Sequence, residues 1–367
     1  MSIDRRHNAS ARRRVRSLLS WLHLWLGLTL GSMFALIALS GSVLVFHTSL
    51  LRWQYPQLGA HAPVADGAVL ARVLARWTPQ GLSTIDLPRQ ELPVWQGYFR
   101  DGTRRYFAPE DGALLLSRSE HDDALLWLHE WHTALLGGDA GQRVVGIIGW
   151  CACFMLLSGL YLWWPTRGRV LASLRMHAQP PLRRWLSWHR STGAIALPLL
   201  LLLTLTGVGM VYHDGARALL TGLFGGDPPP AAPKTSSSAS AMPIAPPWPR
   251  VLAVAQTALS GARLSRLSVP AIDSDAISFR AQAVGEWHPN GRSLVVVDAA
   301  GTRVRLRHDA TRQPLGARLD EAIYPLHIGA VGGTAYRWAA MLGGLVPAGL
   351  LITGFLFWRR RTAQHRA

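Results

Sequence analysis

The sequence predicts an integral membrane protein: a four-helix transmembrane bundle built from two parallel helix-pair repeats, with two small α+β segments outside the membrane. Three observations predict it. Four long stretches carry no charge, basic clusters recur on one side of them, and histidines and glycines repeat at matched offsets in the two halves.

Composition sets the class. Of 367 residues, 49% are apolar, sixteen are Trp and only 16% are charged, too few charges for an ordinary soluble protein. The formal charge of +17 would indicate a nucleic-acid partner if the basic residues formed one patch. They fall instead in short clusters beside apolar runs, so no nucleic acid is expected. Cys151 and Cys153 lie inside an apolar run, which leaves neither a disulfide framework nor a zinc-type CxxC pair. The first apolar run is too long for a signal-peptide core and lacks a small-residue cleavage site, so it reads as an uncleaved anchor.

The spans come next. Residues 21–46, 144–164, 191–212 and 338–358 are each long enough to cross about 30 Å of hydrocarbon. Around them lie a basic N-terminus (1–20), a first external segment (47–143), a basic loop (165–190), a second external segment (213–337) with a Pro/Ser-rich linker (227–247), and a tail (359–367). Arg5, Arg6, Arg12, Arg13, Arg14 and Arg16 precede the first span against the single acid Asp4. Arg167, Arg169, Arg175, Arg183, Arg184 and Arg190 separate the second span from the third, and Arg359, Arg360 and Arg361 follow the fourth. The positive-inside rule makes this side, and both termini, cytoplasmic. Trp21, Trp25, Trp163, Trp164 and Trp358 fall at the same interface, as an aromatic belt does.

Each external segment reads as one helix followed by antiparallel strands. In the first, 68–77 has helical spacing, and 94–99 and 105–109 flank the turn Asp101-Gly102. In the second, a helical run at 250–259 precedes strand-like pieces at 276–283 and 293–298. Ordinary α+β modules and a substrate-docking surface are both consistent with this pattern. No catalytic triad, P-loop or Rossmann glycine fingerprint occurs, so no soluble flavin or nicotinamide domain is expected.

The chemistry lies in the repeat. His23 is followed by Gly27, Gly41 and His47 at offsets 4, 18 and 24, and His189 by Gly193, Gly207 and His213 at the same offsets. The late glycine of each span follows Ser40 or Thr206. His132 precedes Gly137-Gly138 and, 27 residues on, Gly159 after Ser158; His327 precedes Gly332-Gly333 and, again 27 residues on, Gly354 after Thr353. Helices one and two are thus read as duplicated in helices three and four, with an axis along the membrane normal.

Ionisable groups at membrane depth are costly and mark function. His23 and His189, at the cytoplasmic ends of equivalent spans, would face each other across that axis, as bis-histidine ligation of a planar macrocycle requires. Imidazole suits iron, and its neutral form is buried without a counter-ion. His132 and His327 offer the same on the external side, and His47 with His213 form a second external pair. His129, on the same helix face as His132, is an alternative to it. Gly27 and Gly193 would either admit a flat macrocycle or serve close helix packing. His7, His61, His177 and His365 are read as solvated. No CxxCH motif occurs, so the expected cofactor is non-covalent haem b, two per chain, held by pairs of histidines.

The elements WLHLWLGLTLGSMFALIALSG, LHEWHTALLGG…LLSGLYLWWP, WHRSTGAIALPLLLLLTLTG and YPLHIGAVGG…LLITGFLFW resemble the PepSY-associated transmembrane family, over about residues 15–361. That family includes iron-regulated inner-membrane proteins and ferric-siderophore reductases of Gram-negative bacteria. The resemblance implies a bacterial inner-membrane haem oxidoreductase with PepSY-like periplasmic segments. It would pass electrons outward, from a quinol or a cytoplasmic reductase, to reduce Fe(III)–siderophore and release Fe(II). The family's histidine-bearing elements fall on His23, His132, His189 and His327. Two other classes compete: a transporter or metal-handling protein using the histidines as metal or proton sites, and a regulatory PepSY membrane protein without redox activity.

Overall fold

The computed structural model describes residues 3–165, 169–226, 230, 246–270 and 274–364. The expected linker at 227–247 lies outside the described residues except at 230, 246 and 247, as do Arg167 and His365. In chain order, α1 (Ile3–Leu28), α2 (Leu30–Leu44), α3 (His47–Gln54) and α4 (Gly67–Trp77) lead into β1 (Leu82–Asp86), β2 (Trp95–Phe99), β3 (Arg104–Phe107) and β4 (Leu114–Arg118). Then come α5 (Ala124–Ala134), α6 (Gly138–Trp163), α7 (Val170–Ser173), α8 (Pro181–Val211), α9 (His213–Phe224) and α10 (Trp248–Ala258). Strands β5 (Arg263–Ser268), β6 (Ala276–Gln282), β7 (Ser293–Asp298) and β8 (Val304–His308) precede α11 (Leu315–His327) and α12 (Gly333–Gln364). The chain divides into two compact units, one of 1–45, 128–213 and 326–367, the other of 46–127 and 214–325.

The first unit is a helical bundle. α12 packs on both α2 and α8, α8 packs on α6, and α6 also meets α1 and α2. Small residues allow the close crossings. Gly344 of α12 lies against Ser42 of α2, whose hydroxyl donates to the Met341 carbonyl at 2.9 Å, and Gly149 of α6 lies against Val208 of α8. Arg16 and Arg190 donate to the Leu162 and Trp163 carbonyls at 2.8 and 3.2 Å. They thereby satisfy the C-terminal end of α6, where exposed carbonyls and the helix dipole favour cations.

The helices Gly138–Trp163, Pro181–Val211 and Gly333–Gln364 are each long and apolar enough to cross a membrane. The span expected at 21–46 is not one rod. Arg12–Leu28 and Leu30–Leu44 meet at a 52° bend, so the pair counts as a fourth span only as a broken helix. The cause is local. Thr29 leaves helical geometry (φ −96°, ψ −85°), its hydroxyl donates to the Trp25 carbonyl at 2.7 Å, and the Ser32 hydroxyl donates to the Thr29 carbonyl at 2.5 Å. Hydroxyls that bond back to the preceding turn compete with the backbone ladder and bend helices.

The second unit is built on one eight-stranded antiparallel sheet, ordered β4-β3-β2-β1-β5-β6-β7-β8. The two external segments, read from the sequence as separate, meet at its centre: Thr84, Ile85 and Asp86 of β1 pair with Ser268, Leu267 and Arg266 of β5. Each segment supplies a helix and a four-stranded meander. α4 buries Val69, Leu70, Val73, Leu74 and Trp77, an i, i+4, i+8 stripe with its flank, and α10 buries Val251, Leu252 and Ala255 in the same pattern. Asp66 caps α4 by accepting from the Ala68 N–H at 2.7 Å. These stripes pack with Ile85, Trp95, Phe107, Leu267, Ile277, Phe279, Val295 and Val297 into one core. Along β6, Ile277, Phe279 and Ala281 are buried and alternate with Ser278, Arg280 and Gln282. The sheet therefore has an apolar face under the helices and a polar face opposite.

Candidate functional site

Four histidines of the bundle unit share one environment. His23 lies on α1, His189 on α8, His132 near the end of α5 and His327 at the end of α11. Each is held through Nδ1 by a Ser/Thr–Gly step of a neighbouring helix and by the carbonyl three residues before it. His132 Nδ1 lies 2.9 Å from the Ile37 carbonyl and 3.0 Å from Ser40 Oγ. His327 Nδ1 lies 3.0 Å from the Leu203 carbonyl and 3.2 Å from Thr206 Oγ1. For His189 the partners are the Leu350 carbonyl at 3.0 Å and Thr353 Oγ1 at 3.4 Å. His23 Nδ1 meets Ser158 Oγ at 3.0 Å, with the Met155 carbonyl as its backbone partner.

The glycine of each step makes room for the ring. A β-carbon on Gly41 or Gly207 would stand 2.8 or 3.0 Å from Cε1 of His132 or His327. On Gly159 or Gly354 it would stand 3.2 or 3.3 Å from Cε1 of His23 or His189. The arrangement is reciprocal within each half of the chain. The first span of a half (α1–α2, or α8) lends a histidine to the second (α6, or α12) and receives one from the short helix that precedes it (α5, or α11).

The bond at Nδ1 decides the chemistry of the other nitrogen. A carbonyl accepts only, so Nδ1 carries the proton and Nε2 keeps its lone pair, the state a metal-ligating imidazole needs. Burial pulls His132 below the ordinary histidine range, and burial with His132 opposite takes His327 down to about 4, so both rings are neutral. The rings then meet in pairs. His23 and His189 have centroids 6.2 Å apart with planes at 88°, and His132 and His327 have centroids 6.1 Å apart with planes at 39°. Two metal–imidazole bonds of about 2 Å each, plus the inner half of each ring, add to roughly 6 Å. The centroid separations of both pairs match that span, and the glycine cradles fit a ring held at a fixed depth. Among the described residues no three His, Cys, Asp or Glu side chains gather as a metal-ion site. The pairs suit a metal whose other ligands come with it, as in a macrocycle.

The other sequence candidates fall elsewhere. His47 opens α3 in the second unit and His213 opens α9. His129 is exposed, while it is His132 that meets His327. Gly27 faces Met155 and Gly193 faces Leu350, which is helix packing. Ser40, Ser158, Thr206 and Thr353 were visible as markers of the repeat, and their bonds to the histidines were not. The signal present was the constant offset of each Ser/Thr–Gly step from the histidine that precedes it in sequence; the bonded partners lie at unequal separations, 92 residues for Ser40 and His132 and 121 for Thr206 and His327.

The model of the PepSY-associated TM region matches residues 20–361, which include all four histidines and the sheet. The chain belongs to this family. No curated protein matches it. As a PepSY-associated protein it is a membrane protein whose apolar helices form a bundle. The histidine pairs of this PepSY-associated chain join α1 to α8 and the end of α5 to the end of α11.

Proposed function

We propose that the protein is a di-haem b membrane oxidoreductase that carries electrons across the bacterial inner membrane and reduces Fe(III)–siderophore in the periplasm. The two histidine pairs at 6.2 and 6.1 Å, each ring held neutral through Nδ1, carry this reading. His23 with His189, and His132 with His327, would each hold one non-covalent haem. Haem bound by two imidazoles supplies one-electron chemistry, its potential set by ligand, burial and hydrogen bonds. The chain's own part is to fix the rings' tautomer and depth, to exclude water with apolar helices, and to space the pairs. Residues 189 and 206 of α8 stand at opposite pairs, about 25 Å apart at 1.5 Å per residue, close to the thickness of the hydrocarbon.

In this reading the bundle is two parallel helix-pair repeats, both termini are cytoplasmic, and the sheet of PepSY-like segments is periplasmic, as the arginine clusters require. A quinol or cytoplasmic reductase supplies one electron per iron. Fe(III)–siderophore gains that electron, and the Fe(II) formed is released because hard oxygen ligands hold the lower charge weakly. The test is a reduced-minus-oxidised spectrum of the purified protein, followed by trapping of Fe(II) from a ferric siderophore. Bis-histidine b-haem bands and two haems per chain are expected. Protein without Soret absorption overturns the proposal.

A further inference from the structure

The polar face of the eight-stranded sheet has charges that the fold does not use. Arg266 of β5 and Arg280 of β6 are cross-strand partners, and Arg266 also pairs with Asp86 of β1. Arg266 is satisfied: its Nη2 donates to Asp86 Oδ2 at 3.0 Å, and its guanidinium lies 4.9 Å from the Tyr98 ring centre. Arg280 and Arg292 are not. Among the described residues neither guanidinium forms an ion pair or donates a hydrogen bond, and Arg292 Nε is buried without a partner.

The local carboxyls are committed or weak. Glu286 accepts from the backbone N–H groups of Ala283, Arg292 and Ser293. Burial and Glu286 push Glu321 up to about 7, so at neutral pH it offers Arg292 only part of a charge. Asp320 faces Arg217, whose Nε lies 3.1 Å from its Oδ2.

Holding guanidiniums partly out of water without a bonded counter-ion is unfavourable. Burial depresses both Arg280 and Arg292, and the neighbouring arginines depress Arg280 further. Beside them, His288 stacks on Tyr324 with ring centres 5.0 Å apart, and burial first, then Arg292, Arg280 and Arg266, pull His288 down to about 3. Burial raises the Tyr324 phenol, yet 36% of its surface stays open. Tyr324 is thus open to solvent on the side that His288 does not cover.

We propose that this site, at Arg280 and Arg292 with the exposed ring of Tyr324 backed by His288, binds an anionic iron chelate carrying catecholate or carboxylate oxygens. Guanidinium forks match paired oxygens, and aromatic faces match a catechol ring better than they match a bare inorganic ion. Naming the ligand as an iron chelate rests on the reductase reading; the anion site itself does not.

The test uses redox-inert gallium(III), so that binding is read without electron transfer. The purified full-length protein is titrated, by tryptophan fluorescence, with a negatively charged gallium(III) tris-catecholate and with a neutral gallium(III) tris-hydroxamate. The catecholate is expected to bind more tightly, and R280Q/R292Q to weaken it about tenfold or more while leaving the hydroxamate unchanged, with R280K/R292K in between. Equal binding of the two chelates, or an unchanged affinity in R280Q/R292Q with native haem content and elution volume, overturns the proposal. Competition by inorganic phosphate at the catecholate's own affinity overturns it too, and assigns the site to phosphate or a lipid headgroup. If the wild type holds no haem but the titration succeeds, the reductase reading fails and the anion site stands.

Discussion

The two histidine pairs are alike in chemistry and different in construction. His23 and His189 sit inside long helices, with ring planes crossing at 88°. His132 and His327 sit at the ends of shorter helices, with planes at 39° and tighter cradles. One pair is placed by helix packing alone. The other also depends on the turn that follows each histidine. On the proposed reading, the same sequence device, a histidine against a Ser/Thr–Gly step, would give two haem sites whose ligand planes, and hence electronic structures, need not match.

The largest test removes a ligand. On the proposed reading, H23A or H189A abolishes one haem and H132A or H327A the other, so haem per chain falls from two to one. Electron paramagnetic resonance of the oxidised variants separates the sites, because crossed imidazoles give a more anisotropic low-spin signal than near-parallel ones. H132A is expected to keep the anisotropic signal and H23A to lose it. H47A, H129A and H213A should each keep both haems. A variant of these three that loses one would move the pairing away from the geometry seen here.

The glycine cradles grade the comparison. G41A and G207A place a β-carbon at or inside 3.0 Å of a ring carbon held on two sides, whereas G159A and G354A place it at 3.2 and 3.3 Å, where a small shift suffices. Haem loss should therefore be severe for the first two and partial for the second two, read as haem per chain after purification. Equal effects at all four would mean that the cradles are packing sites only.

A smaller effect is expected from the hydroxyls. Each histidine whose carbonyl contact is retained keeps its tautomer when the hydroxyl goes, so S40A, S158A, T206V and T353V remove one bond of about 1 kcal/mol and not the ligand. Midpoint potentials should shift by a few tens of millivolts, measured by redox titration. Thr353 is the most distant of the four, at 3.4 Å, and T353V should shift least.

Much of this was legible in the chain, for physical reasons that differ by element. Hydropathy over 144–164, 191–212 and 338–358 reports length and solvent, so it found α6, α8 and α12. It does not report straightness, so the Thr29 bend was invisible. Alternation found β2, β3, β6 and β7. The strands β1, β4, β5 and β8 escaped, and the pairing of Thr84 with Ser268 joins residues about half the chain apart, so no local pattern announces one sheet. The histidine spacing was legible because duplication preserves it. The cradles were not, because they join residues such as Ser40 and His132 that only packing brings together. The arginine cluster escaped for the same reason: Arg266, Arg280 and Arg292 look like ordinary polar positions until the strands are paired.

The smallest expected effect concerns the turns that follow His132 and His327. Leu135 and Leu136 stand at φ 48° and 60°, a region L side chains avoid, while the other turn uses Gly329, Gly332 and Gly333 at φ 73°, 72° and 67°. Leu136 is 45% exposed, so its side chain adds little packing to offset the strain. L136G relieves roughly 1 kcal/mol of backbone strain, and the greater freedom of glycine in the unfolded chain takes back part of that. A rise of at most a few degrees is expected in the temperature at which the His132–His327 haem signal is lost, with no change in the His23–His189 signal. A fall would show that Leu136 contributes apolar contact, to lipid or to a partner, and that the strain is retained for it.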